Sequence, residues 1–253
     1  MRLKDKVALI TGAGAGLGKA TALRFAQEGA KVVVAEINEA NGSATAAAIR
    51  QSQGIAEFVQ TDISQEESIK ALVAATIKRF SRIDVLFNNA AVLFHKHDAR
   101  AHELSTEIWD KTHTTNLRGV WLTSKYVIPW MLQQGGGSII HLASPTGMSG
   151  CAPGLTAYSS SKGGVHGLSR VMAIDYAQEG IRVNVVVPGF TLTPIVRELV
   201  ADPKVYEWNV QNIPLKRGAE PVEIAGAVAF LASDDASYMT GSFMFVDGGL
   251  TAA

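Results

Sequence analysis

The sequence predicts an α/β fold in which a doubly wound parallel sheet of about seven strands is flanked by helices in one domain, residues 1–253. Short β-branched runs alternate along the chain with longer amphipathic stretches, the order that right-handed βαβ units produce. Continuous apolar runs such as Val32–Val34 and Val185–Val187 are typical of strands covered on both faces. No linker, internal repeat or low-complexity segment divides the chain, so a single domain is expected.

Strands are predicted where the apolar β-branched runs fall, and helices where amphipathic periodicity runs between them. Clear helical patterns occur at Gly18–Glu28 and Glu66–Phe80. Two longer helical regions, 106–133 and 157–178, carry apolar residues on more faces than one sheet contact uses. That surplus fits either a well-buried helix or a contact with another subunit. The predicted strands are Val7–Thr11, Lys31–Ile37, Ile55–Thr61, Val85–Asn88, Gly137–Ala143, Arg182–Val187 and Ser242–Val246.

Composition argues against several classes of protein. The 23 basic residues equal the 23 acidic ones, whereas a nucleic-acid binder normally carries a basic excess. The single cysteine, Cys151, excludes an internal disulfide and is interpreted as a small apolar residue in a turn. The segment Met1–Lys6 leads straight into a strand without a signal-like apolar region, and no apolar run reaches membrane-spanning length. We therefore expect a cytoplasmic protein that binds neither nucleic acid nor membrane.

A glycine-rich turn separates the first strand from the first helix. Gly12, Gly16 and Gly18 follow Thr11 at once, and a helix opens near Gly18. Free N–H groups and the helix dipole favour an anion at such a helix N-terminus, so the turn predicts a site for the pyrophosphate of a nucleotide. The spacing departs from G-x-G-x-x-G because Leu17 stands between the last two glycines. The need for a tight turn and close helix–strand packing is the same.

The end of the second predicted strand carries a carboxylate, Glu36. A carboxylate at this place accepts hydrogen bonds from the adenosine ribose hydroxyls and repels a 2′-phosphate. Ala13 and Ala15 fill the variable positions of the glycine turn, so no Arg or Lys stands there to neutralise such a phosphate. Glu36 therefore favours NAD over NADP, the alternative being an exposed polar residue at a strand end.

Tyr158 and Lys162 stand four residues apart, so on a helix they share one face. A free phenol has a pKa near ~10, and a fixed positive charge beside it favours the phenolate. Taken alone, the pair is better explained by a half-buried Tyr and a Lys that extends along an apolar surface to water. Downstream of a nucleotide-binding turn, it indicates proton transfer coupled to a nicotinamide.

Together these residues make the chain resemble the classical short-chain dehydrogenase/reductase family over its whole length. The resemblance implies a Rossmann fold with seven parallel strands and a catalytic tetrad of Asn116, Ser144, Tyr158 and Lys162. The motifs that carry it, in the order of the family, are Thr11–Gly18, Asp62, Asn88-Asn89-Ala90-Ala91, Asn116, Ser144, Tyr158-x-x-x-Lys162, Pro188-Gly189-x-x-x-Thr193 and Asp247-Gly248-Gly249.

By the same resemblance, the Tyr158 phenolate takes the proton of an alcohol while hydride passes to the nicotinamide. Ser144 orients the substrate oxygen, Lys162 lowers the phenol pKa and binds the nicotinamide ribose, and Asn116 connects Lys162 to solvent through a water. Asp62 would hold the adenine edge. The implied cofactor-binding residues are Gly12, Gly16, Leu17, Gly18, Glu36, Asp62, Ile63, Asn89, Ala90, Tyr158, Lys162, Gly189, Thr191 and Thr193, with Asn89 and Ala90 along the adenosine ribose and Thr193 and the backbone near Gly189 on the carboxamide.

Two positions depart from the pattern of the family. Ala91 stands where the family usually has Gly, so the backbone after the fourth strand is expected to lie slightly differently. Ser144 is followed by Pro145 and lies one residue further from Tyr158 than is common. Proline biases the preceding residue toward extended geometry, which suits a strand end. Ser149 is the only rival serine, and it falls within a turn.

The segment of about residues 190–215 is expected to form a flap over the substrate, in short helical pieces separated by prolines. An apolar lining would suit an apolar or ring-shaped secondary alcohol or ketone; the alternative is that these side chains pack the flap onto the body. The candidate lining residues are Phe190, Ile195, Val196, Arg197, Glu198, Leu199, Tyr206 and Trp208 in the flap, and Leu93, Phe94 and Met148 in neighbouring loops.

Basic side chains crowd one loop after the fourth strand. We expect no metal site there, because His-x-His alone is weak evidence for one. A solvated surface is the first interpretation, and a docking patch for an anionic substrate is the second. The residues concerned are His95, Lys96, His97, Arg100 and His102.

The sequence thus predicts an NAD-dependent short-chain alcohol dehydrogenase or carbonyl reductase that acts on a small molecule and assembles as a homotetramer. An NADP-preferring carbonyl reductase is the main alternative. A nucleotide sensor without catalysis would be expected to have lost part of the tetrad. Extended sugar epimerases and dehydratases share Tyr-x-x-x-Lys, but they run longer and have a different glycine spacing.

Overall fold

The computed structural model describes residues 1–149 and 152–252, so Cys151 lies outside the described residues, as does the side chain of Ile195. Seven parallel strands form one sheet in the order β3-β2-β1-β4-β5-β6-β7, which confirms the predicted fold class. The strand order reverses between β1 and β4, where such sheets bind ligands. The strands are β1 Val7–Thr11, β2 Lys31–Glu36, β3 Ile55–Gln60, β4 Val85–Asn88, β5 Gly137–Leu142, β6 Ile181–Pro188 and β7 Phe243–Val246.

The strand bounds differ from the sequence prediction by one residue at several ends. Strands β2, β3 and β5 each stop one residue early, before Ile37, Thr61 and Ala143, and β6 gains a residue at each end. The last register pair of β2 and β3 joins Glu36 to Gln60. Side-chain patterns predict which segment is extended, but the neighbouring strand decides where pairing stops.

Helices cover both faces of the sheet. One buried cluster joins α1, α2 and α9 to residues such as Val32 and Val34. A second cluster joins α3, α5 and α6 to Val33 and Ala35. Successive strand residues point to opposite faces, so the continuous apolar runs feed both clusters. The helices are α1 Gly16–Gln27, α2 Glu39–Gln51, α3 Glu66–Phe80, α4 Thr106–His113, α5 Gly119–Gln133, α6 Thr156–Asp175, α7 Pro194–Leu199, α8 Pro203–Val210 and α9 Pro221–Ala232.

The long helical region predicted at 106–133 contains a π-helical turn. Thr114–Arg118 forms this turn between α4 and α5, and the backbone stays helical at both junctions. A π turn inserts extra backbone into a helix and changes the direction in which its side chains point. The region is therefore helical throughout but not one regular α-helix. The second long helix, predicted to reach Gln178, ends at Asp175.

Within the described part of the chain, no helix combines the length and the apolar character needed to cross a bilayer.

The glycine at position 18 carries a packing constraint that can be tested. A Cβ at Gly18 would lie 2.1 Å from the carbonyl oxygen of Gly12, whereas a Cβ at Gly226 in α9 meets nothing within 4 Å. We expect Gly18→Ala to lower the free energy of unfolding by about 1–3 kcal/mol, because backbone must shift to accept the methyl group. Gly226→Ala should be neutral or stabilising by up to about 1 kcal/mol, since Ala is the better helix former. Thermal or denaturant unfolding of both variants measures this; equal stability would contradict the close packing of α1 on the turn.

Candidate active site

The glycine turn forms an open cradle for an anion. Gly12 and Gly16 adopt left-handed backbone angles, φ 65° and 52°, that glycine favours. At the start of α1, the N-cap Ala15 makes no side-chain hydrogen bond, and no acidic residue lies in the first turn. The first backbone N–H groups of α1 therefore keep their capacity to bind an anion. This cradle fits the pyrophosphate of a nicotinamide dinucleotide.

Hydrogen bonds join the cradle to the residues that follow β4. The Asn89 amide donates to the carbonyl oxygens of Thr11 and Gly12, at 2.9 and 3.1 Å. The Thr11 hydroxyl oxygen accepts from the backbone N–H groups of Asn89 and Ala90, both at 3.1 Å. A Cβ at Gly12 would lie 2.8 Å from the Cα of Ala90, so Ala90 does border the turn. The Asn89 side chain thus holds the glycine turn in place, a structural role that the sequence did not predict.

Glu36 lies against the same turn. Its carboxylate accepts hydrogen bonds from the backbone N–H groups of Gly14 and Asn38, both at 3.0 Å. A Cβ at position 14 would lie 2.7 Å from the Cγ of Glu36. Gly14 is therefore a site residue that the sequence prediction missed. Its signal was its place as the second glycine of the run, next to Glu36 at the end of β2.

The end of β3 meets β4 and the π turn from the other side. Asp62 accepts a hydrogen bond from Ser64 N–H at 2.9 Å, which fixes a turn after the strand. Ile63 is buried and packs with Ala90. A Cβ at Gly119 would lie 2.8 Å from the Ile63 carbonyl oxygen, so α5 begins in close contact with this turn. The candidate adenine-binding residues therefore lie next to Ala90.

Ser144, Tyr158 and Lys162 converge at the end of β5. Ser144 is extended, φ −156° and ψ 148°, as the following proline predicts, and its hydroxyl oxygen accepts from Thr146 N–H at 3.3 Å. Lys162 is buried in α6, and its Nζ donates to the Leu142 carbonyl oxygen at 2.9 Å. The rival Ser149 donates to the Pro145 carbonyl at 3.2 Å and so is used within its turn.

Burial changes the proton affinity of two groups in this cluster. It raises the pKa of the Tyr158 phenol, while the neighbouring Ser144 side chain lowers it. Burial also lowers the pKa of Lys162 to about 8. Lys162 Nζ lies 5.7 Å from the Tyr158 ring centre and donates to the Leu142 carbonyl oxygen. The action of Lys162 on the phenol remains a prediction.

Asn116 lies in the π turn and is fully buried. Its Oδ1 accepts from Val92 N–H at 2.8 Å, and its Nδ2 donates to the Val92 carbonyl at 2.9 Å and to the Ser161 hydroxyl at 3.3 Å. The amide thus ties the loop after β4 to α6 beside Lys162. The relay through a water remains a prediction.

The flap begins on the cradle. A Cβ at Gly16 would lie 3.2 Å from Thr193 Cγ2, and Thr193 accepts a hydrogen bond from Val196 N–H at 3.4 Å at the start of α7. Thr191 forms an isolated bridge with Ala219, and the packing of Gly189 on Asp247 leaves no room for a Cβ. The flap contains α7 and α8, the short helical pieces that its prolines predict.

The candidate substrate lining divides into two groups. The Phe190 and Tyr206 rings lie 6.2 Å apart, and the Tyr206 hydroxyl oxygen accepts from Gly218 N–H at 3.2 Å, so this pair packs the flap onto the body. Exposed apolar side chains form the second group, namely Leu93, Met148, Leu199 and Trp208.

The basic loop gives no indication of a metal centre. Across residues 1–149 and 152–252, no three His, Cys, Asp or Glu side chains come together as metal ligands. Asp98 in this loop has a role that the sequence did not predict. Asp98 accepts hydrogen bonds from the backbone N–H groups of Ala157 and Tyr158, at 3.0 and 2.9 Å.

Comparison with known proteins agrees with this geometry. A family model described as enoyl-(acyl carrier protein) reductase matches residues 12–251. The chain is 40% identical over 253 residues to 3-oxoacyl-(acyl-carrier-protein) reductase FabG of Thermotoga maritima, covering 99% of each chain. It is also 40% identical over 260 residues to levodione reductase of Leifsonia aquatica, covering 100% of this chain and 96% of the relative.

Solved structures give the same result. A crystal structure of levodione reductase superposes with a TM-score of 0.94 and 38% identity over the full length of both chains. A protein from Beutenbergia cavernae, described as an NAD(P)-dependent gluconate 5-dehydrogenase and solved with NADP at low occupancy, superposes with a TM-score of 0.93 and 34% identity, covering 99% of this chain and 98% of that one. The chain therefore belongs to the short-chain dehydrogenase/reductase family, whose members are oxidoreductases that use a nicotinamide cofactor.

Proposed function

We propose that this protein is an NAD(H)-dependent oxidoreductase that transfers hydride between nicotinamide and a secondary alcohol or ketone, with Tyr158 as general acid and base. The observation that carries the proposal is that Ser144, Tyr158 and Lys162 lie together at the end of β5, on the sheet edge that also holds the uncapped start of α1. A proton donor and an oxygen-binding hydroxyl thus lie together on the edge that presents an anion site. A non-catalytic nucleotide sensor has no use for this pair.

The candidate residues divide between holding the cofactor and handling the proton. Gly12, Gly16, Leu17 and Gly18 would hold the pyrophosphate, and Glu36 the adenosine ribose. When bound, the nicotinamide supplies the acceptor or donor of hydride. Asp62 and Ile63 would border the adenine, and Gly189, Thr191 and Thr193 the carboxamide.

Proton transfer falls to Tyr158, with Ser144 holding the substrate oxygen. In ketone reduction the neutral phenol donates its proton to the carbonyl oxygen. The raised pKa of Tyr158 keeps the phenol protonated at neutral pH, which suits this direction. In alcohol oxidation the phenolate accepts the hydroxyl proton, so the oxidation rate should rise with pH. Lys162, with a pKa of about 8, is mostly cationic at neutral pH and can bind a ribose hydroxyl.

Tyr158→Phe tests this role directly. We expect turnover to fall by at least about a hundredfold, because only the hydroxyl carries the proton. NADH affinity should stay within a few-fold, since the ring still fills its place. Tyr176→Phe, at the other end of the same helix, is the matched control and should retain full activity. Steady-state kinetics and NADH fluorescence titration measure both quantities, and wild-type turnover by Tyr158→Phe would refute the mechanism.

The preference for NAD rests on Glu36. Its carboxylate lies at the glycine turn, and Ala13 and Ala15 supply no compensating cation. The main alternative is an NADP-preferring carbonyl reductase. The relative from Beutenbergia cavernae, which was solved with bound NADP, supports this alternative.

We expect kcat/KM to favour NAD over NADP by at least about tenfold, roughly 1.4 kcal/mol. Glu36→Gln should reduce this ratio because it removes the charge that repels a 2′-phosphate. Glu39→Gln, three residues further on, removes an equal charge at the start of α2 and should leave the ratio unchanged. The measurement is initial rates with both cofactors for all three proteins. Equal efficiency of wild type with NAD and NADP would establish the alternative.

The proposed substrate class rests on exposed apolar side chains of the flap and of neighbouring loops. Leu93, Met148, Leu199 and Trp208 expose large apolar surfaces on the segments expected to enclose the substrate. They support an apolar or ring-shaped secondary alcohol or ketone. A panel of secondary alcohols, diols, sterols and sugars with NAD at alkaline pH would identify the class. Absence of turnover across that panel, and with the matching ketones and NADH, would favour the sensor alternative.

A homotetramer is the proposed assembly. The long helical regions expose Trp109, Trp121, Val171 and Ile174, and Phe245 is exposed on the edge strand β7. A groove of about 650 Å³ lies between the same helices, lined by Asp110, His113, Thr114, Leu117, Arg118, Trp121 and Leu168. Apolar surface of this extent fits contact with another copy of the chain.

Light scattering at micromolar concentration should therefore report the mass of four 26.9 kDa chains. The double variant Val171→Glu with Ile174→Glu should shift the mass to a smaller species, because charges would have to be desolvated in the interface. Lys78→Glu, on the exposed part of α3, is a control that should not change the mass. A monomer mass for wild type would contradict the assembly.

A further inference from the structure

The catalytic helix α6 has no cap of its own. Its N-cap residue is Leu155, which makes no side-chain hydrogen bond, and no acidic residue lies in its first turn. Helices usually begin with Ser, Thr, Asp or Asn, whose side chains accept hydrogen bonds from the first free N–H groups. Tyr158 is the third residue of α6. The proposed acid–base residue therefore belongs to a turn that its local sequence leaves unsupported.

Asp98 supplies the missing cap from the loop after β4. Its Oδ1 accepts from Ala157 N–H at 3.0 Å, and its Oδ2 accepts from Tyr158 N–H at 2.9 Å. Each carboxylate oxygen thus holds one backbone N–H of the first turn. Hydrogen bonds to a charged acceptor are shorter and stronger than neutral ones. The residue that carries the phenol is tied through its own backbone to this carboxylate.

The loop holds Asp98 firmly from its other side. Asp98 N–H donates to the Phe94 carbonyl at 2.8 Å, and the adjacent His97 N–H donates to the same carbonyl at 2.7 Å. Asp98 Oδ1 also accepts from Ala99 N–H at 3.0 Å. The carboxylate is therefore set by a tight turn whose first residue, Phe94, belongs to the candidate substrate lining.

The basic neighbours of Asp98 do not engage its carboxylate. In the described residues, Arg100 pairs with Glu103 at 4.0 Å, His102 lies 3.6 Å from the same carboxylate, and no ion pair of this loop involves Asp98. A surface acid close to Lys96 and Arg100 would be expected to pair with them. The Asp98 carboxylate faces backbone N–H groups instead, which argues for a positional role.

We propose that Asp98 is a positioning residue that fixes Tyr158 relative to the loop bearing Leu93 and Phe94. This inference rests on the proposed function, since it assigns Asp98 to the acid–base step of the same site. Misplacement of a reacting group by about 1 Å can cost about a hundredfold in rate. The effect should appear in kcat, because the cofactor cradle at α1 makes no contact with Asp98.

Asp98→Asn and Asp98→Ala test the proposal in graded fashion. Asn keeps the size of the side chain but has one acceptor oxygen, and its NH₂ group would face a backbone donor. We expect kcat to fall about tenfold or more in Asp98→Ala and by a smaller factor in Asp98→Asn, while the Kd for NADH stays within about twofold. Ser105→Ala is the matched control. The Ser105 hydroxyl caps α4 by accepting from Ile108 N–H at 3.3 Å. Ser105→Ala therefore removes the cap of a helix that does not carry Tyr158, and kcat should not change.

Amide hydrogen exchange of the peptide covering residues 155–162 gives a readout that does not depend on turnover. Exchange should be faster in Asp98→Ala than in wild type, intermediate in Asp98→Asn, and unchanged in Ser105→Ala. If wild type turns over no substrate with either cofactor, the proposed function fails and this exchange pattern alone decides the role of Asp98. Unchanged exchange in both Asp98 variants would overturn the inference, as would wild-type kcat. Loss of NADH affinity in parallel with kcat in both variants would show general damage and would also overturn it.

Discussion

The site depends on a set of hydrogen bonds that joins the ends of β1 and β4, the neighbouring strands between which the strand order reverses. The Thr11 hydroxyl oxygen receives the N–H groups of Asn89 and Ala90, and the Asn89 amide returns hydrogen bonds to the Thr11 and Gly12 carbonyls. Polar groups at a buried strand end must find partners, since an unpaired one costs free energy. Here the end of each strand supplies the hydrogen-bond partners for the other. The glycine turn and the loop that leads to Val92 are therefore held in place by the same hydrogen bonds.

From this turn and this loop onward, hydrogen bonds to backbone groups position the remaining site residues more than side-chain packing does. Val92 is held by Asn116, which the π turn aims inward, and the same amide reaches Ser161 in α6. Lys162 then meets the backbone of β5 at Leu142. All of these steps except the hydrogen bond to the Ser161 hydroxyl use a backbone carbonyl or N–H group whose position the fold has already fixed. Such partners preorganise the site.

The sequence predicted the parts that local chemistry determines. Apolar β-branched runs located the strands, and the glycine run located the cradle, because period and backbone freedom are properties of short segments. Pro145 predicted the extended geometry of Ser144 for the same reason. The strand ends were displaced by one residue, since the adjacent strand decides them.

The remaining features depend on partners distant in the chain. Lys162 was expected to act on the Tyr158 phenol because the two share a helix face; its hydrogen bond to the Leu142 carbonyl, on another element, had no signal in the sequence. Asn89 was predicted along the adenosine ribose, and the hydrogen bond from its amide to the Thr11 carbonyl was not predicted. The π turn has no signature in the sequence that separates it from regular helix. Sequence spacing shows which groups are able to meet, and tertiary contacts decide which do.

The hydrogen bond from Tyr158 to Asp98 spans 60 residues, and this bears on the order in which the chain folds. Closing so long a loop costs entropy that only surrounding tertiary structure can offset. The first turn of α6 lacks a local cap, so its N–H groups stay solvated until β4 and β5 are side by side and the loop after β4 has formed its turn. We therefore expect the sheet to form before Tyr158 is ordered. A partly folded chain would then have the proposed nucleotide site at the early β1–α1 turn while Tyr158, the proposed proton donor, is not yet in place.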